Sequence, residues 1–214
     1  MFGVMTTFFP TRSAVNNAKT IAKQCYSLVI VDDTGLESDE RDSAIFNELK
    51  NIENIVILEN EKNSGIAFSL NVGIQYSIDN GADYIVTFDD DTQICHCYVQ
   101  QCLDFYLRNT DEVGAVSLSR GRLFVDGKAP AISKKTLITS GFFTSAKLYK
   151  NNDLIPDDYF IDLVDFYVSF KIRSLGYKTY ILDRVGMIHS VGNITSRRVF
   201  FDFNIFRPLT YLLA

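Results

Sequence analysis

Four short apolar runs, each followed by polar residues and then a helix-like stretch, constrain this chain more than any other feature. Residues 2–9 read as a strand that stops at Pro10. Residues 27–31 (SLVIV) run into Asp32, Asp33, Thr34 and Gly35. Residues 54–58 (NIVIL) form a third run, and residues 83–88 (DYIVTF) lead straight into Asp89, Asp90 and Asp91. Unbroken apolar runs suit strands buried on both faces of a parallel sheet. Helices are expected between them at 13–24 with Ser13 as N-cap, at 40–50, and from Gly65 to Tyr76. The alternation predicts an α/β chain: a mainly parallel sheet with helices on both sides. Such sheets bind ligands beyond the carboxyl ends of their strands. Polar and acidic residues from Thr6 and Thr7, Asp32 and Asp33, Asn63, and Asp89 to Asp91 are therefore expected along one edge.

The second half is less regular. Residues 115–118, 123–125 and 136–144 read as strands, with Asp126 and Gly127 as a hairpin turn. A helix is expected to follow Thr92. Residues 156–177 begin with acids and continue as a helix, whose apolar stripe is Val164, Val168, Ile172 and Leu175 and whose end is Gly176. Residues 179–182 form a short strand. There is no internal repeat and no low-complexity linker. One domain is expected over residues 1–198, divided at residue 92, with an aromatic segment at 199–214.

Of the 214 residues, 47% are hydrophobic and 22% charged, which excludes a disordered chain or a small disulfide scaffold. The net charge of −5 argues against a nucleic-acid partner, which calls for a basic surface. The opening MFGVMTTFFP lacks a basic region and a cleavage site, so a cytoplasmic location with free thiols is expected. Cys95, His96, Cys97 and Cys102 invite a zinc reading. Helical spacing turns Cys95 and Cys102 to the core and Cys97 away, which one tetrahedral ion cannot bridge.

Three consecutive carboxylates repel one another and raise each other's pKa. A hard divalent cation such as Mg²⁺ or Mn²⁺ relieves that cost and shares substrate phosphates. Alternation at a strand end lets Asp89 and Asp91 point the same way. A solvated acidic loop is the plainer alternative. A phosphatase with a nucleophilic Asp fits poorly, because Gln93 stands where that pattern needs Thr or Val.

The chain resembles the inverting glycosyltransferases of family two, which have the nucleotide-sugar-binding fold called GT-A, and in particular their rhamnosyltransferase-like group. The resemblance rests on VMTTFFP (4–10), VIVDDTG (29–35), NEKNSGIAFSLNVGI (60–74), GADYIVTFDDDT (81–92), YFIDLVDFYVSFKIRSLGYK (159–178) and IHSVG (188–192). It implies a sugar transferred from a UDP- or dTDP-sugar to a glycan acceptor, often lipid-linked in the family, with Mn²⁺ or Mg²⁺ as cofactor. It implies that Thr6 lines the nucleobase pocket, that Asp32 meets base or ribose, and that Asn63, Gly65 and Asn71 shape the nucleotide pocket. Asp89 and Asp91 match the metal and diphosphate motif, with Asp90 beside the donor. His189 matches a histidine that completes the metal site. Asp165 matches the general base, and Asp162 is the second choice. Lys171 departs from the family's usual Arg, and Phe166–Tyr167 from its usual acidic or Glu-Trp pair.

Arg197 and Arg198 either pair with the donor diphosphate or form a basic surface pair. The segment from 199 onwards either packs on the core, forms a homodimer contact, or lies on a membrane surface as a peripheral anchor. A sugar-1-phosphate nucleotidylyltransferase would need glycines that VMTTFFPTRS lacks. A dinucleotide oxidoreductase would need a G-x-G-x-x-G after the first strand. A non-catalytic nucleotide-sugar binder would hold donor and metal without turnover.

Overall fold

A computed structural model describes residues 1–39, 41–121, 130–149, 154–160, 163–189, 194–198 and 204–208, with the backbone alone at 184–185, 194–198 and 204–208. The four runs form parallel strands β1 (Phe2–Thr7), β2 (Ser27–Asp32), β3 (Ile55–Glu59) and β4 (Tyr84–Asp89). Between them lie helices α1 (Arg12–Ala22), α2 (Ser43–Lys50) and α3 (Ile66–Asp79). Thr11, not Ser13, occupies the N-cap of α1. The Asp42 carboxylate caps α2 by accepting from the Ala44 N–H.

After β4 the chain makes a two-residue strand β5 (Gln93–Ile94) before helix α4 (Tyr98–Arg108), so the expected helix begins later than Thr92. β6 (Val113–Arg120), β7 (Ala131–Lys134) and β8 (Phe142–Ser145) follow, then α5 (Val164–Ser174) and the long strand β9 (Lys178–Ile188). The strand expected at 136–144 is confined to its end, because Gly141 takes a left-handed φ of +77° just before β8. The helix expected from Pro156 starts only at Val164, because Leu163 is left-handed with φ +73°. Leu175 is exposed and drops out of the apolar stripe, while Val164, Val168 and Ile172 are buried. The strand expected at 123–125 and its turn lie outside the described residues, as does Asp162.

The sheet runs β3-β2-β1-β4-β8-β6-β9-β5, with β7 also on β9. β8 is antiparallel to both β4 and β6, and β5 and β7 are antiparallel to β9. β6 and β9 run parallel. Strands β10 (Ile194–Arg198) and β11 (Asn204–Pro208) form a separate antiparallel pair.

Two apolar layers cover the sheet. Met5, Leu28, Ile30, Val86 and Phe88 pack with α1, α2 and α4 on one face. Val4, Val29, Val31 and Ile85 pack with α3 and α5 on the other. Period-two alternation then sets which way each strand end points. Thr6 and Asp89, paired in register across β1 and β4, continue the α3/α5 face. Asp32 continues the opposite one.

On the α3/α5 side, Gly114 lets α5 sit close to β6. A Cβ there would lie 2.3 Å from Ile172 Cγ2 and 2.8 Å from Tyr177 Cβ, so it could fit only if the helix moved. Overpacking of this kind costs about 1–3 kcal/mol. Gly114→Ala is expected to lower stability by about that amount, read as a fall in denaturant midpoint at unchanged slope. A midpoint equal to the parent's would mean that the packing is looser than described.

Candidate active site

The end of β4 and the end of β9 bring three potential metal ligands together. One ligand atom each from Asp89, Asp91 and His189 lie within 4.8 Å of one another. His189 Nε2 is 3.6 Å from Asp89 Oδ2, and His189 Nδ1 is 2.9 Å from Asp91 Oδ1. The second contact is an ion-pair approach, and Asp91 Oδ1 is buried without a hydrogen bond that takes up its lone pairs. Nδ1 also lies 3.0 Å from the Thr92 hydroxyl.

Burial is the first cause that pushes Asp89 up to about 6, with Asp91 and Asp165 adding to it and His189 opposing it. Asp89 still exposes 30% of its side chain to solvent, so its carboxylate is crowded by protein yet open to a ligand. Burial and the charges of Asp89 and Asp91 push Asp90 up to about 7. Burial alone would lower His189, but the two carboxylates outweigh it and raise the imidazole above its ordinary value.

The acidic loop is held from two sides. Asn17 of α1 donates to the Asp90 carbonyl at 2.8 Å. The Asp89 N–H donates to Ser140 Oγ at 3.1 Å. Residues 139–141 are stitched to β4 by the Gly141 N–H to Thr87 carbonyl bond and by the Thr87 hydroxyl to Thr139 carbonyl bond. The same turn holds Asp165, in the first turn of α5, whose carboxylate accepts the Thr139 N–H at 2.7 Å. Burial raises Asp165, while the Thr139 hydrogen bonds and the charges of His189 and Arg120 pull it back.

Thr6, Asp89, Asp91, Asp165 and His189 are thus brought together. Asp32 and Asn71 are not turned to this cluster. Asp32 is buried, accepts the Thr34 N–H, and pairs with Arg41 Nε at 2.8 Å. Asn71 spends its side-chain amide on both backbone groups of Ile155 and on Asp157. Asn63 accepts the Gly65 N–H at 3.2 Å. Gly65 has φ +88°, and a Cβ there would lie 2.5 Å from the Phe160 carbonyl, which accepts the Ile66 N–H. The backbone of Arg197 lies in β10.

Sequence reasoning passed over Asn17 and Ser140, and placed Asp33 at the sheet edge without giving it a role. Asp33 is buried and accepts the Ser64 and Gly65 N–H groups and Asn60 Nδ2, each at 2.7–2.8 Å. The VDDTG spacing marked two acids without telling which one the loop at 60–65 would use. Cys95 and Cys102 are buried and all four thiols are free. Among the described residues, Asp89, Asp91 and His189 form the only cluster of metal-ligating type, so the cysteines build no zinc site there.

The donor set suits a hard divalent cation: two carboxylates, one of them with an orphaned oxygen, and an imidazole nitrogen.

Comparison with known proteins agrees with this geometry. The sequence profile of Glycosyl transferase family 2 matches residues 12–161. The dTDP-rhamnosyl transferase RfbF of Shigella flexneri is 25% identical over 215 residues, which is 90% of this chain and 70% of that protein. The structure of S. aureus TarS 1–349 superposes with a TM-score of 0.65 at 18% identity, covering 88% of this chain and 60% of that one. The same protein in complex with UDP gives 0.64 at 19% identity, covering 89% and 60%. The chain therefore spans about 60% of those solved chains and shares their fold. With that profile matching residues 12–161, more than half of its length, the chain belongs to glycosyl transferase family 2.

Proposed function

We propose that this chain is a metal-dependent, inverting glycosyltransferase that moves a sugar from a nucleoside-diphosphate donor to a glycan hydroxyl. The observation that carries this reading is the orphaned Asp91 oxygen beside Asp89 and His189, with Asp165 held on the same face. The likeness to a dTDP-rhamnosyl transferase favours a dTDP-linked donor, and the UDP complex of TarS keeps UDP as the second choice. We place the donor over residues 1–92 and the acceptor over 93–198, as one domain.

Asp89, Asp91 and His189 would hold Mn²⁺ or Mg²⁺. When bound, the cation neutralises charge developing on the departing diphosphate. Asp165 would accept the proton of the acceptor hydroxyl as that oxygen attacks the anomeric carbon and the bond to the diphosphate breaks. A single displacement of this kind inverts the anomeric centre. The Thr139 N–H fixes the Asp165 carboxylate for this task, and burial raises its basicity. Thr6, at the end of β1 on the Asp89 side of the sheet, would border the nucleobase. Asn63 and Gly65 would shape the nucleotide pocket through the loop that Asp33 holds. Asp32 and Asn71 would act by fixing the pocket walls. Asp90 would lie beside the donor, Arg197 would meet the diphosphate, and Asp162 is the second choice of base. The acceptor would be a glycan or lipid-linked glycan of surface-polysaccharide synthesis, reached in the cytoplasm or at the inner face of the membrane. The C-terminal segment would serve either as a peripheral membrane contact or as a homodimer contact. Among the described residues no helix is long and apolar enough to cross a membrane.

Asp91→Ala is expected to weaken Mn²⁺ binding by more than the roughly 10–100-fold that losing an outer-shell partner costs. Unchanged Mn²⁺ titration in calorimetry would remove the metal reading. Asp165→Asn should retain donor binding and lose about 10²–10⁴-fold in kcat. Transfer at the parent rate would acquit Asp165.

The acid cluster also sets a pH dependence. Asp89 and Asp90 rise from 3.8 to about 6 and about 7, so the stability they contribute is full below about pH 4 and is lost as pH rises through those values. His189, raised above 6.5, acts in the same sense. Protons and metal then compete for one site. Added Mn²⁺ is expected to raise Tm more at about pH 8 than at about pH 5, and an equal shift at both would contradict the competition.

A further inference from the structure

We infer that Thr92 is a positioning residue that reserves Asp91 for the metal by occupying His189 Nδ1. The inference rests on the metal reading above.

Thr92 is fully buried, and its hydroxyl has two partners: His189 Nδ1 at 3.0 Å and Ser140 Oγ at 2.5 Å. Ser140, also buried, accepts the Asp89 N–H. Two hydroxyls therefore connect the imidazole to the backbone of the first carboxylate. Two groups compete for Nδ1. The Thr92 hydroxyl lies at hydrogen-bond distance, whereas Asp91 Oδ1 lies 2.9 Å away as an ion-pair contact and its hydrogen-bonding capacity is not taken up.

The outcome of that competition decides whether Asp91 keeps a free oxygen. With Nδ1–H donated to Thr92 Oγ1, the Thr92 hydroxyl in turn donates its hydrogen bond to Ser140 Oγ. His189 Nε2 then presents its lone pair toward Asp89, and Asp91 Oδ1 stays unspent. With the Thr92 hydroxyl removed, a small ring rotation lets Nδ1–H turn onto Asp91 Oδ1. That hydrogen bond consumes a ligand oxygen and turns Nε2 out of line. Outer-shell partners of a ligating histidine act in this way by fixing its tautomer and ring orientation.

The test uses the full chain and Mn²⁺ alone, with bound ion measured by electron paramagnetic resonance without donor. Thr92→Val keeps the shape and removes the hydroxyl, and Thr92→Ser restores it. The valine variant is expected to bind Mn²⁺ about 10–100-fold more weakly, and the serine variant within about threefold of the parent. In turnover the valine variant should show a raised apparent KM for Mn²⁺ and recover its kcat at saturating metal. Should Thr92→Val fold poorly, Ser140→Ala interrupts the same chain one hydroxyl further out and is expected to weaken binding in the same direction. Parent-like Mn²⁺ affinity in the valine or alanine variant overturns the inference while leaving the metal site intact. A parent protein that takes up no Mn²⁺ overturns both.

Discussion

The repulsion among Asp89, Asp90 and Asp91 governs the rest of this structure. A strand buried on both faces ends in three carboxylates, two of which burial and mutual charge drive well above the ordinary carboxylate range. A fold keeps such a cluster only if something offsets the charge. Here His189 does so from the end of β9, and a divalent cation would do so more fully. β9 reaches Ile188 by pairing with β5 and β6, and this length carries the histidine to the acids. The irregular second half of the chain thus serves the regular first half.

Around that cluster, single buried polar side chains replace regular structure. Asp33 ties the β2 end to the loop before α3, using both carboxylate oxygens. Asn71 clamps Ile155 from α3, fixing the segment that passes over Gly65. Ser140 and Thr139 hold Asp89 and Asp165 from adjacent positions of one turn. Each such group leaves buried partners unsatisfied if removed, which costs about 1–3 kcal/mol per group. The site is therefore held by a few polar links of high individual consequence.

The first four strands and three helices were legible because each apolar run alternates cleanly between two covered faces and stops at a polar residue. The acid pair was legible from its place just past such a run. The second half hid for physical reasons. Leu163 adopts a left-handed φ that no apolar pattern announces, so the helix before Asp165 looked longer than it is. β9 looked like four residues because Asp183 and Arg184 interrupt its apolar run, although its pairing with β6 continues past both. Asp32 and Asp33 were inseparable in sequence. Only the sheet's alternation shows that Asp32 faces Arg41 and Asp33 faces the loop.

The bond from Asn17 to the Asp90 carbonyl mechanically joins helix α1 to the acidic loop, which lie far apart along the chain. Helix α1 begins just beyond the loop that follows Thr7, so that loop and the acidic loop share one rigid lever. An engineer who exchanged residues 8–11 for another relative's loop would tilt that lever. The cost would surface at the end of β4, as a displaced acidic loop, even though no acid had been altered.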